Sequence, residues 1–177
     1  MLNAAPHWRL PAALLAVLVA AVLAQPPRAY ANTESLRAAD AVLVVKSERR
    51  LYLLHDGQPF RSYRIALGLN PSGTKEREGD FRTPEGRYLL DGRNSASDYF
   101  LSIHVSYPSA ADTQRARRHR WKPGGSIMIH GMPNLPRKGA DYYRNVDWTN
   151  GCIALSNDDM LEVWLLTRAN TPIEIRP

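Results

Sequence analysis

The 177-residue chain has one cysteine, Cys152, set in Asp147-Trp148-Thr149-Asn150-Gly151-Cys152-Ile153. Upstream, Ile127-Met128-Ile129-His130-Gly131 is an apolar run that ends on a histidine. A thiol becomes a strong nucleophile only once it loses its proton, and an imidazole within folding reach can accept it. Cys152 is therefore the candidate nucleophile, and His130 the candidate general base and then acid. Gly151 leaves room beside the sulfur for a substrate to approach the backbone. The N–H groups of Gly151 and Cys152 are candidates for an oxyanion hole. Pairing with the imidazole would lower the Cys152 pKa below its reference of about 8.5. A base of this kind also needs a third group to orient it. Two candidates stand open, the carbonyl of Gly131 and the carboxylate of Asp147. A metal site is the other use of Cys and His, but the chain has no Cys-x-x-Cys or His-Glu-x-x-His spacing. Neither a metal nor a cofactor is expected.

The elements that must carry these residues read mainly as strands. Residues 42–46 and 50–54 are apolar runs, and Asp56-Gly57 is a hairpin turn into 60–67, where Tyr63, Ile65 and Leu67 alternate. Asn70-Pro71-Ser72-Gly73 is a turn, and the charged stretch 75–79 reads as a mobile loop and a candidate lid. Thr83-Pro84-Glu85-Gly86 turns the chain into a strand at 87–90. Residues 99–107 alternate, with Leu101, Ile103 and Val105 on one face and Ser102, His104 and Ser106 on the other. Residues 109–120 have helical composition with a basic cluster at Arg115, Arg117, Arg118 and Arg120. Residues 126–130 form the strand that ends at His130. Residues 158–168 give a helix with Ser156 and Asp159 spaced as a capping box and Met160, Leu161, Val163, Trp164 and Leu165 as its apolar side. Residues 172–175 close the chain as a strand. Six or more strands with one or two short helices predict a mainly β domain.

Before this domain, residues 12–24 are an apolar run too short to span a bilayer comfortably, preceded by Arg9 and followed by Ala29-Tyr30-Ala31. That pattern predicts a signal peptide over 1–31, a short leader over 32–40, a catalytic domain over 41–177, and no stable membrane anchor after cleavage. Export to the periplasm would place the thiol in an oxidising compartment, where a lone cysteine has no internal disulfide partner. Residues 32–177 carry 21 basic and 17 acidic side chains. This mild positive balance suits an anionic polymer such as the cell wall and gives little support for nucleic acid as a partner.

The C-terminal pattern resembles the L,D-transpeptidase (YkuD-like) catalytic domain, whose signature is a His, a loop, then Ser/Thr-His-Gly-Cys and a hydrophobic residue. Ile129-His130-Gly131 matches its first half, and Thr149, Gly151, Cys152 and Ile153 match its second. Gly79-Asp80-Phe81-Arg82-Thr83-Pro84-Glu85-Gly86 resembles the family's Thr-Pro-x-Gly turn, and residues 42–54 its opening strands. Asn150 stands where many members carry His, and Ala154 where many carry Arg or Asn. The Asp-Trp-Thr-x-Gly-Cys form resembles one branch of the family. The resemblance implies a β-sandwich-like domain acting on peptidoglycan stem peptides. Cys152 would attack the L-centre carbonyl of diaminopimelate and expel the terminal D-Ala, with His130 as base and then acid. An amine (cross-linking, or anchoring of a wall-linked protein) or water would resolve the acyl-enzyme, and a non-catalytic wall-binding role is the remaining alternative. Thr149, Asn150, Trp148 and Arg82 are candidate substrate-binding residues. Arg87, Lys122, Arg137 and Lys138 are further candidates for a peptide carboxylate. Tyr107 and Trp121 are candidates for the pocket lining.

Overall fold

The computed structural model describes residues 37–177, so the signal-peptide segment and the first part of the leader lie outside the described residues. The elements are β1 (Ala41–Val45), β2 (Arg50–His55), β3 (Gln58–Arg64), β4 (Gly86–Ser97), β5 (Phe100–Val105), α1 (Ala110–Arg118), β6 (Met128–His130), α2 (Ala140–Asn145), β7 (Ile153–Ala154), α3 (Asn157–Leu166) and β8 (Thr171–Arg176). The fold is mainly β, as the sequence pattern predicts. All eight strands join one sheet in the order β3-β2-β1-β8-β4-β5-β6-β7. Strands β1 and β8 run parallel, as do β6 and β7; the other neighbours are antiparallel.

The sheet curls until its two ends meet. Ala66, just beyond β3, bridges Ala154 of β7 with both amides bonded at 2.9 Å, and Gly68 bridges Thr149. The period-two alternation dictates what this encloses. Val42 and Val44, Leu51 and Leu53, Tyr88 and Leu90, Ile103 and Val105, and Ile173 and Ile175 all turn inward and are buried. Met160, Val163 and Leu166 of α3 complete the core.

Several local expectations hold, with changes of extent. Asp56 and Gly57 both take positive φ (51° and 72°), the two-residue hairpin that Asp-Gly favours. The Ser156 hydroxyl accepts from the Asp159 amide at the start of α3, but the reciprocal capping box stands at α1, between Ser109 and Asp112. Leu161 and Leu165, read as part of the apolar side of the last helix, are exposed instead. The strand expected at 87–90 runs on to Ser97 as β4, and two elements escaped the sequence reading: α2, which has no buried residue, and β7, which is two residues long.

Candidate active site

His130 and Cys152 meet because β6 and β7 run parallel in register. Ile129 pairs with Ile153 and His130 with Ala154, and both isoleucines are fully buried. Side chains alternate along a strand. His130 therefore leaves the core face, and Cys152, one residue before Ile153, leaves it on the same side. Both line one cavity of about 390 Å³.

The imidazole is buried and fixed. Its Nδ1 lies 2.7 Å from the carbonyl of Gly131. A carbonyl only accepts, so Nδ1 carries the proton and Nε2 keeps its lone pair. The Gly131 amide is tied to the carbonyls of Tyr99 and Leu101, which fixes that acceptor. Tyr99 packs on the ring at 4.6 Å between centroids and Trp148 meets it edge-on at 5.6 Å. Burial pushes the imidazole pKa down, and the Gly131 carbonyl only partly opposes this. Asp147 takes no part: its carboxylate accepts from Arg49 and from the Leu67 amide. Of the two orienting groups the sequence leaves open, the structure brings the carbonyl to the ring.

The thiol corrects an expectation. Burial raises its pKa; the Met128 amide and the Lys75 ammonium oppose the rise without cancelling it. The Sγ atom faces the Ser126 carbonyl at 3.6 Å. Burial thus acts against charge on both groups, raising the thiol and lowering the imidazole.

The turn before Cys152 is locked from within. The buried Thr149 hydroxyl donates to the Cys152 carbonyl (2.7 Å) and accepts from the Gly151 amide (3.1 Å). The Gly151 N–H is thereby used inside the turn, so the Cys152 amide is the better candidate for an oxyanion donor. Gly151 has φ +123°, and a Cβ there would stand 2.6 Å from the Arg82 carbonyl. The glycine is required by backbone packing behind the turn as much as by substrate approach.

The remaining sequence candidates divide cleanly. Trp148, Thr149 and the exposed Asn150 line the cavity. Arg82 does not: its guanidinium faces Glu76 at 3.5 Å, and only its carbonyl reaches the Cys152 turn. Arg87 faces Glu174 at 3.8 Å. Tyr107 is buried, and Trp121 stacks with His119 under Arg77. The 75–79 stretch is no free loop, because Lys75 is buried and bonded to Asp80 at 2.8 Å. The β4–β5 hairpin supplies a wall the sequence did not announce, with Asn94, Ser97, Asp98 and Tyr99. Past Tyr99 and Trp148 the surface continues into a second depression lined by Leu135, Arg137 and Tyr143. The one signal for these was the polar run 94–98 between two alternating segments. Among the described residues, no group of three or more His, Cys, Asp or Glu is placed to hold a metal ion.

The chain is similar to YafK of Escherichia coli K12, with 33% identity over 96 residues, 51% of this chain and 37% of that protein. It thus spans well under half the length of that curated relative. The helical cell shape determining protein Pgp2 of Campylobacter jejuni superposes with a TM-score of 0.57 at 28% identity, over 76% of this chain and 46% of that one. Bd1075 of Bdellovibrio bacteriovorus shares the fold, with a TM-score of 0.52 at 23% identity over 79% of this chain and 51% of its own. The family model for the YkuD L,D-transpeptidase catalytic domain matches residues 39–175, most of the chain, and the protein belongs to that family.

Proposed function

We propose that the chain is an exported cysteine acyltransferase acting on peptidoglycan stem peptides, with Cys152 as nucleophile and His130 as general base and acid. The observation that carries this reading is the His130 tautomer: Nδ1 donates to the Gly131 carbonyl, leaving a basic Nε2 in the cavity that holds the thiol. Family membership supplies the substrate class.

In the proposed reaction, Nε2 takes the thiol proton as sulfur attacks the L-centre carbonyl of diaminopimelate. The Cys152 amide faces the developing oxyanion, in the role that preorganised donors play in acyl transfer. Collapse breaks the bond to D-Ala, whose nitrogen leaves with the proton held by His130. A thioester remains. An amine or water then adds to it, giving its proton to Nε2, and the thiol is released. No cofactor enters these steps. In this reading residues 1–31 are a signal peptide, 32–40 a leader and 41–177 the catalytic domain, working in the periplasm. In the same reading a wall-linked protein serves as a further acyl acceptor or leaving group.

A second reading, hydrolysis as the main outcome, is favoured by the exposed Asn150 at the cavity edge. A short amide there leaves the acceptor side open to water. Mass spectrometry of residues 32–177 with a disaccharide-tetrapeptide, and with wall fragments bearing a linked peptide, separates the readings. A dimer with loss of D-Ala marks transpeptidation; tripeptide alone, or release of the linked peptide, marks hydrolysis. Activity that survives in Cys152→Ala would overturn both. Asn150→His should shift product toward the dimer, and an unchanged ratio would remove Asn150 from the partition.

A further inference from the structure

Past Tyr99 and Trp148 the Cys152 cavity gives onto the second depression, of about 440 Å³. Asp98, Tyr99 and Trp148 line both, so the two spaces share one boundary. That boundary stands close to the chemistry: the Tyr99 and Trp148 rings lie 4.6 and 5.6 Å from the His130 ring, centroid to centroid. The depression joins an apolar lining of Tyr99, Pro133, Tyr143 and Trp148 to one carboxylate and one guanidinium, those of Asp98 and Arg137. Neither of these two side chains is ion-paired among the described residues. An exposed carboxylate is ordinarily just solvated. The backbone that carries Asp98 is nevertheless tied in place. The Asn134 amide donates to the Asp98 carbonyl, Asn134 Oδ1 accepts from the Phe100 amide, and Asn134 Nδ2 donates to the Ser97 carbonyl, each at 2.9 Å. The Arg137 amide donates to the Tyr143 hydroxyl at 3.1 Å, and the Tyr143 ring meets Trp148 edge-on. Two opposite charges are thus held on fixed backbone beside an apolar surface, one step from the reacting pair.

We infer that this depression takes the far end of the diaminopimelate side chain, with Asp98 meeting its ammonium and Arg137 its carboxylate. The inference rests on the stem-peptide reading above and names the residues that would select the third residue of the stem. That side chain ends in a carbon bearing both an ammonium and a carboxylate, the two charges the depression leaves unmatched. Three methylenes separate this carbon from the L-centre, about 5 Å at ordinary carbon–carbon bond lengths. The reach is comparable to the spacing between the His130 ring and the aromatic boundary. With the L-centre carbonyl at Cys152, the methylenes pass the Tyr99 and Trp148 rings, where burial of apolar surface is favourable. The charged head then lies in the depression. A planar guanidinium matches a carboxylate in a fork that an ammonium cannot form. Lysine at the same stem position offers the ammonium alone and leaves Arg137 unmatched.

The test reads binding apart from turnover. Calorimetry on the full chain carrying Cys152→Ala compares three disaccharide-tetrapeptides that differ only at the third residue: diaminopimelate, diaminopimelate amidated at its far carboxylate, and lysine. Diaminopimelate should bind about 3–10-fold more tightly than either of the others, as a charge-assisted pair open to solvent allows. Arg137→Ala in that background should erase the preference. Asp98→Asn should weaken all three ligands by a similar factor and keep the preference, because all three carry the ammonium. Both substitutions spare the backbone bonds, so melting should not move. Absent binding, equal affinity for the three stems, a preference that survives Arg137→Ala, or affinities untouched by Asp98→Asn would each overturn the inference. An Arg137-dependent preference in a chain whose wild-type form turns over none of the three would overturn the acyl-transfer reading instead and leave the subsite standing.

Discussion

Two neighbouring segments, one lining the Cys152 cavity and one lining the depression beyond Trp148, are built in opposite ways. The Thr149–Cys152 turn is held by backbone and buried polar groups: Thr149 N to Leu67 O (3.0 Å), Leu69 N to Thr149 O (2.9 Å), and the Thr149 hydroxyl inside. The segment from Met132 to Asn145 is tied at its start, where the Met132 amide donates to Asn157 and Asn134 bonds Ser97, Asp98 and Phe100, and has little behind it beyond that point. Helix α2 buries no residue, its Gly139 start has no side-chain cap, and Leu135 is 88% exposed. Beyond Asn134 it meets the site through Tyr143, whose ring meets Trp148 edge-on at 5.1 Å. The reacting atoms are thus fixed by contacts that cannot adjust cheaply, while the outer wall rests on aromatic contacts that can. That division suits a site whose chemistry is constant and whose partners vary in shape.

The division is broken most directly at Gly151. Gly151→Ala puts a methyl on the Arg82 carbonyl in a backbone conformation that L-residues rarely adopt. The turn must move, and a displacement of about 1 Å at a nucleophile costs on the order of 100-fold in rate. Strain of about 1–3 kcal/mol should also appear as a lower melting temperature. Thr149→Val is the next test. It keeps the shape but strips the Gly151 amide and the Cys152 carbonyl of their partner, at a cost of about 1–3 kcal/mol for a buried unmade bond. We expect a smaller rate loss than at Gly151, read from the same acyl-transfer assay. Near wild-type rates in both variants would mean that the turn is not the rigid half.

The same contrast explains what the sequence disclosed. Cys152 and His130 were legible because few residue types can do nucleophilic chemistry, and the alternating strands β1, β2 and β8 because one face of each is core. The packing constraint on Gly151 was not legible because it comes from Arg82, distant in sequence and close only after the sheet curls. Lys75 reads as a surface charge in any local window; only the fold buries it against Asp80. The wall from Asn94 to Asp98 was missed for the opposite reason. It faces a cavity and not the core, so its polar residues look like a loop while those up to Ser97 extend β4. Helix α2 left no apolar stripe to find, because it buries nothing.

The pH response should fall between these structural losses and the peripheral ones. Folding raises the Cys152 pKa and lowers that of His130, both chiefly by burial. Alkylation of the free enzyme should therefore have its midpoint above the thiol reference of about 8.5, with no reactive plateau at acid pH. The stability consequences have opposite signs at the two ends. Above about pH 8.5 the unfolded thiol ionises first, so stability falls with rising pH until the folded thiol titrates. Below about pH 6.5 the unfolded imidazole gains its proton first, so stability falls as pH drops toward the folded value. Melting temperature against pH tests both limbs, and Cys152→Ala should flatten only the alkaline one. An alkylation midpoint near neutrality would mean that an ion pair already exists in the resting enzyme.

The smallest effect should lie on the adaptable wall. Arg137 lines the depression beyond Trp148, and its amide bonds the Tyr143 hydroxyl at 3.1 Å, a contact that survives loss of the side chain. Arg137→Ala should leave melting unchanged within about 0.5 kcal/mol, as for a surface substitution. If the guanidinium meets a substrate carboxylate there, KM should rise several-fold with kcat held, the mark of binding lost equally from ground and transition states. Arg137→Lys should recover only part, since an ammonium lacks the planar fork that a carboxylate matches. A fall in kcat at constant KM would carry the opposite lesson: the loop would belong to the rigid half, transmitting its position through Tyr143 and Trp148 to the imidazole.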